Sequence, residues 1–210
     1  MKKLFLTLSI ICIGLSNASI SKAEHHGTTS DMYIGISSVN FDIGYKTVEG
    51  VDLALFYHED YYASEIYLGK EYGNNFVEFG YFATSTGTKS LTGTVAGITF
   101  SGTTAMEFYG IRSTVGRNFV HNNMLESKLK ISYYGINFDE SAALAVTTGS
   151  ATFIGASSYS GTDDLITVGY GLNYNINDQF SLEFDYEQSL SEPKNIDEIK
   201  ILGLNLTYKF

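Results

Sequence analysis

Gly203-Leu204-Asn205-Leu206-Thr207-Tyr208-Lys209-Phe210 ends the chain in strict alternation. In an extended strand Leu202, Leu204, Leu206, Tyr208 and Phe210 fall on one side, and Gly203, Asn205, Thr207 and Lys209 on the other. A soluble antiparallel sheet gives the same pattern, but its apolar face needs a second layer to cover it. No amphipathic helix and no second sheet is legible to supply that layer.

The same period recurs upstream. From 164 to 176, Ile166, Val168, Tyr170, Leu172, Tyr174 and Ile176 oppose Thr167, Gly169, Gly171, Asn173 and Asn175. After the turn Asn177-Asp178-Gln179, Phe180, Leu182, Phe184 and Tyr186 oppose Ser181, Glu183, Asp185 and Glu187. Earlier segments repeat the device, with Phe82 as an exception, and predict eight strands near 31–39, 63–73, 76–86, 105–117, 124–137, 164–176, 180–190 and 198–210. The turns at 73–75, 118–123 and 177–179 are short and polar, whereas 40–62, 87–104 and 138–163 are long. Parts of these long connections, Phe41 to Tyr45, Val51 to Tyr57, Leu91 to Phe100, Leu144 to Val146 and Ala151 to Ile154, read as strand extensions.

The amino-terminal end has another character. Met1-Lys2-Lys3, an apolar run from Leu4 to Leu15, and the small residues around Ser21-Lys22-Ala23 form a secretory signal expected to be cleaved after Ala23, with Ala18 as a second acceptable site. The run is too short for a membrane-spanning helix. Cys12, the sole cysteine, lies inside this segment, so the mature chain is expected to have no thiol chemistry. Ser9-Ile10-Ile11 before it does not suit a lipid-attachment site. Residues 24–30 read as a flexible leader and 31–210 as one domain. Losing Lys2, Lys3 and Lys22 takes the formal charge from −10 to −13, which disfavours nucleic acid as a partner.

The segment Val168-Gly169-Tyr170-Gly171-Leu172-Asn173-Tyr174-Asn175-Ile176-Asn177-Asp178-Gln179-Phe180-Ser181-Leu182-Glu183-Phe184-Asp185-Tyr186-Glu187 resembles the penultimate hairpin of OmpA/OmpX-type small outer-membrane barrels of the porin family. The resemblance implies an all-β, eight-stranded antiparallel up-and-down transmembrane β-barrel in the outer membrane of a Gram-negative bacterium, with short periplasmic turns and long extracellular loops. It also implies that the final strand, with Gly203, Leu204, Leu206, Tyr208 and Phe210, closes the barrel and is read by the barrel-assembly machinery after secretion. This chain departs from the family in having no Trp, so Tyr and Phe must form the interfacial girdles. No periplasmic peptidoglycan-binding domain is expected after Phe210.

Physics points the same way, because a sheet in hydrocarbon must close to satisfy its backbone. Eight strands leave a bore just filled by side chains. The inward register collects Glu65, Glu71, Glu78, Glu126, Glu183, Asp185 and Glu187 with Arg112, Lys128, Lys130 and Lys209. Lys70 and Arg117 fall on the lipid side, beside turns where they can snorkel. The bore reads as a salt-bridged plug, with a narrow cation-preferring pore as the alternative. The loops read as hairpins offering a sheet edge to an extracellular protein or glycan. A lipid-directed enzyme would need a nucleophile beside His58 or His121, and no such motif accompanies either, so the chain reads as no enzyme and needs no cofactor. Cleavage after Ala23 would expose Glu24-His25-His26, a weak candidate for square-planar Cu(II) or Ni(II). A membrane-embedded monomer is the expected state.

Overall fold

A computed structural model describes residues 31–49, 51–95, 97–191 and 196–210. The expected signal segment 1–23, the leader 24–30 and the Glu24-His25-His26 candidate lie outside the described residues. Eleven strands follow in chain order: β1 Met32–Tyr45, β2 Thr47–Val48, β3 Val51–Asp52, β4 Asp60–Tyr72, β5 Asn75–Thr84, β6 Gly87–Val95, β7 Ile98–Val120, β8 Leu125–Thr148, β9 Ala151–Asn175, β10 Phe180–Ser189 and β11 Ile196–Lys209.

Eight of them form a closed antiparallel ring. The order runs β5-β4-β1-β11-β10-β9-β8-β7 and returns through β7 to β5. The terminal strands close it in a register that pairs Tyr33 with Lys209, Ile36 with Leu206 and Phe41 with Ile201. β6 continues the line of β5 and pairs with the outer half of β7, while β2 and β3 form a small separate ribbon.

Two of the short turns are held by the same device. The side-chain oxygen of Asn122 accepts from the backbone N–H of Met124 and Leu125, and that of Asn177 accepts from Gln179 and Phe180. Gly73 takes the third with φ of 63°, a left-handed conformation glycine adopts without cost.

Four strands run beyond the eight core ranges, where the extensions expected at Phe41 to Tyr45, Leu144 to Val146 and Ala151 to Ile154 are strand and that expected at Leu91 to Phe100 falls on the ends of β6 and β7. β1 extends to Tyr45, β7 begins at Ile98, β8 continues to Thr148 and β9 begins at Ala151. Continued cross-strand pairing carries them outward, since β7–β8 and β8–β9 hold one register without a shift along their whole length. The expected extension from Val51 to Tyr57 is different: after β3 the chain makes a 3₁₀ turn at Leu53–Leu55, with the Asp52 carboxylate accepting from the N–H of Ala54.

The ring has two storeys of opposite polarity. Toward the short turns Ile66, Leu68, Phe79, Ile111, Leu129, Leu172, Phe184, Leu204 and Leu206 are exposed on the outside, forming the lipid-facing belt, while charged and hydroxyl side chains are buried within. Toward the long hairpins the bore instead holds Val39, Phe41, Ile43, Tyr61, Ala63, Phe82, Met106, Tyr134, Leu165, Ile199 and Ile201 in one apolar cluster. Outside that storey stand Asp42, Asp60 and Lys200. The inside-facing parity never changes, since odd residues of β1 are buried from Tyr33 to Ile43; only the chemistry on each face inverts. Lys70 and Arg117 sit outside the belt near the turns, over the rings of Tyr72 and Phe119 at 5.1 and 5.9 Å.

A closed ladder resists detergent until heated, so the protein should migrate differently on a gel before and after boiling. Leu204→Arg, which places a charge on the lipid face, should lower folding stability in phospholipid vesicles by about 2–4 kcal/mol, measured by urea unfolding.

Candidate functional site

The lower bore is built on charge. Arg112 of β7 reaches Glu65 with its Nε at 2.6 Å and Glu78 with a terminal nitrogen at 3.1 Å, and donates to Thr114 at 3.0 Å. The phenol of Tyr33 donates to the second carboxylate, at 2.9 Å from Glu78. On the opposite wall Lys128 pairs with Glu183 at 2.6 Å, and Lys130 lies among Asp185, Glu187 at 3.1 Å and Glu183 at 3.8 Å. The hydroxyls of Thr114 and Ser132, 2.9 Å apart, bridge β7 to β8. All eight ions are buried. Charges removed from water this far persist only when paired and hydrogen-bonded, as these are.

Glycines make the room. Asp185 lies opposite Gly203 on β11 and Gly171 on β9, and Glu187 lies opposite Gly169. A Cβ at Gly203 would collide with the Asp185 carboxylate, and one at Gly169 would come 2.5 Å from Cγ of Glu187. Tyr33 and Tyr67 fold their rings over Gly69 and Gly35, each tyrosine covering the glycine opposite it. The glycine-rich strand beside an acidic one therefore has a packing cause.

The remaining sequence-derived bore residues form the periplasmic rim. Lys209 reaches Glu71 at 3.1 Å, Asn118 donates to the same carboxylate at 3.4 Å, and Glu126 accepts from Asn175 at 3.1 Å. Glu71 and Lys209 are about a quarter exposed, so this group is wetter than the buried pairs. In the closing strand, Leu204 and Leu206 face lipid, Gly203 faces the bore, and Tyr208 stacks against Phe180 and Phe210 with centroids 5.1 and 5.5 Å away.

The upper bore is shut by apolar packing and a lid. Phe41, Phe82 and Tyr134 form an aromatic triad with centroid separations of 5.5 to 6.1 Å. Above it the segment around the 3₁₀ turn folds over the mouth. Lys89 donates to the carbonyl of Ala54 at 2.9 Å, Thr104 donates to the carbonyl of Phe56, and Tyr57 donates to Glu140 at 3.0 Å. Burial first, then the hydrogen bond to Glu140, pushes the Tyr57 phenol up to about 12, so it remains a donor at neutral pH. The sequence pattern did not reveal this apolar storey. The available signal was the switch in β1 from apolar Ile34 and Ile36 to apolar Val39, Phe41 and Ile43, a change of parity within one strand.

Beyond the mouth, β6 and the outer halves of β7, β8 and β9 continue as a four-stranded blade. Gly149, with φ of 60°, turns the β8–β9 hairpin at its tip. Residues 151–160 are all exposed, with Phe153 65 %, Ile154 82 % and Tyr159 61 % accessible. Residues 141–162 carry no charge.

The two candidate histidines in the described residues lie apart. His58 packs edge-on against Tyr61 at the mouth. His121 lies 2.9 Å from the Ser127 hydroxyl, a pairing the sequence spacing did not suggest. Ser127 is buried near the start of β8, and among the described residues no carboxylate hydrogen-bonds the imidazole to orient it. Nor is any cluster of metal-ligating side chains present among the described residues.

Comparison with protein-family models and with curated proteins gives no match. Solved structures do match: Neisserial surface protein A aligns with a TM-score of 0.55 over 88% of this chain and 100% of that one, at 13% identity. OprG of Pseudomonas aeruginosa gives 0.49 over 89% and 99%, at 7% identity, and the attachment invasion locus protein Ail of Yersinia pestis gives 0.41 over 85% and 96%, at 16% identity. The chain has the fold of an OmpA/OmpX-type small outer-membrane β-barrel. Its lipid-facing belt and closed ring place it in the outer membrane of a Gram-negative cell.

Removing the central cation of the buried network tests its weight in the fold. Arg112→Met, which leaves Glu65 and Glu78 unpaired, should destabilise the barrel by about 3–5 kcal/mol. Adding Glu65→Gln and Glu78→Gln should recover most of that loss in vesicle urea titrations, because the two carboxylates that Arg112 paired are then neutral.

Proposed function

We propose that this barrel is a surface-contact protein, acting as a membrane-embedded monomer whose blade engages a partner outside the cell. One observation carries the reading: a four-stranded blade stands clear of the mouth with an uncharged, apolar-studded outer strand. Exposed apolar residues contiguous on a rigid sheet are a binding surface by default. An extended segment of an extracellular protein, or a glycan laid on Phe153 and Tyr159, is the class of partner that suits it. The anchor is the barrel, exported behind the 1–23 signal and assembled through the recognition of Gly203, Leu204, Leu206, Tyr208 and Phe210 by the barrel-assembly machinery.

The buried ions support the plug reading over the cation-preferring pore. The cations in the lower bore are matched by acids at contact distance, and the aromatic triad fills the bore above them. No catalytic role is proposed, since Ser127 is buried and among the described residues no carboxylate hydrogen-bonds His121.

Removing residues 144–154 shortens β8 and β9 together, because Leu144 pairs with Gly155. Cells displaying the shortened chain should lose adherence to an extracellular-matrix surface while keeping heat-modifiable migration. Unchanged adherence would count against the blade as the contact surface. In planar bilayers the purified protein should give no steady openings; cation-selective conductance would replace the plug by a pore.

A further inference from the structure

The outer edge of β9 is unpaired among the described residues above the point where Thr167 meets Ser189 of β10. Its hydrogen-bonding parity is fixed by the barrel below. The carbonyl of Ile166 accepts from Leu190 and its N–H bonds to Ser191, both on the β10 side, whereas the N–H of Asn175 turns the other way, to Met124 ahead of β8. With an unshifted β8–β9 register, even residues from Thr152 to Thr162 therefore aim their N–H and C=O groups outward at the free edge. An edge of this length, about 34 Å at the usual rise per residue, is a template for another strand. Natural edges are commonly blunted by charge, bulge or proline. Residues 151–162 carry none of these.

Folded about Ser157, the sequence on this edge sets a large residue against a glycine at the odd positions on either side. Turned antiparallel on itself, it sets Ser157 against Ser157, Gly155 against Tyr159, and Phe153 against Gly161. The even positions then meet as Thr152 with Thr162, Ile154 with Ser160 and Ala156 with Ser158, which matches outward-aimed groups to outward-aimed groups. The odd positions fall in the non-hydrogen-bonded pairs, where side chains approach most closely. The register meets open backbone at Gly155 and a glycine already covered by a ring at Gly161. A Cβ at Gly155 would meet nothing within 4 Å, leaving bare backbone for a tyrosine ring. Above Gly161 lies the ring of Phe138, itself 5.8 Å from Tyr159, ready to stack with an incoming phenylalanine. The barrel uses the same aromatic-over-glycine pairing at Tyr33 with Gly69 and Tyr67 with Gly35.

We infer that the partner of this edge is the same edge of a second copy, paired antiparallel about a two-fold axis through Ser157, in a facing outer membrane. Copies in one membrane all run β9 toward that membrane in the same sense and cannot align this way; copies in two opposed membranes can. The chain's net charge of −10 makes a neutral contact strand the place where two copies approach without repulsion. The inference rests on the surface-contact reading and specifies its partner.

The test is disulfide trapping between two differently tagged populations of cells, in a chain carrying Cys12→Ala. Ser157→Cys should give a disulfide-linked species containing both tags. Ile154→Cys alone should give none, but Ile154→Cys on one population and Ser160→Cys on the other should crosslink. Tyr159→Lys should abolish clumping of the cells while leaving heat-modifiable migration intact. Failure of Ser157→Cys to join the two populations, with both chains folded by that gel criterion, would overturn the self-pairing. Adherence to the matrix surface that still depends on residues 144–154 would then leave the surface-contact reading standing. Crosslinks confined to one population would also overturn the facing-membrane arrangement.

Discussion

Closure of the backbone ladder is the constraint on which the rest of this structure depends. Within hydrocarbon an unpaired N–H or C=O has no water to turn to, so β1 must find β11 and no edge can remain at membrane depth. Once the ring is closed at eight strands its bore is narrow, and whatever points inward must pack or pair. The glycines opposite Asp185, Glu187, Tyr33 and Tyr67 are the packing answer to that limit. The Arg112 and Lys130 clusters are the electrostatic one.

Above the membrane the constraint relaxes and the same strands solve a different problem. There the outside meets water, so the inside becomes an ordinary apolar core around Phe41, Phe82 and Tyr134. Strand parity carries through unbroken, and the faces exchange chemistry because the outer solvent changes. The molecule is thus an inverted barrel below and a soluble-type barrel above, joined by continuous strands. This arrangement gives the projecting blade a rigid footing: β7, β8 and β9 pass through both storeys without a register shift before they emerge.

Edges are suppressed where lipid surrounds the sheet and left open where it does not. The lower ring has none, but among the described residues β9 from Ala151 to Thr162 presents one without a blocking charge. In a soluble protein such an edge is an aggregation hazard; on an anchored barrel its orientation limits what can reach it.

Much of this is legible in the sequence. Alternation, the aromatic last strand and the unequal connections determine a closed β-barrel, because a period of two with unlike faces has few stable solutions in a membrane. The identity of the inward charges, Glu65, Glu78, Arg112, Lys128, Lys130, Glu183, Asp185 and Glu187, follows from the same parity. Which acid meets which base does not, since Arg112 and Glu65 are distant in sequence and come together only through strand order and stagger. The apolar upper bore, the lid around Leu53–Leu55 held by Lys89, Thr104 and Glu140, and the free edge of β9 were also decided by the tertiary structure alone. Local pattern specifies which face a residue takes; only the closed ring specifies what lies across the bore from it, and how far each strand runs before its neighbour ends.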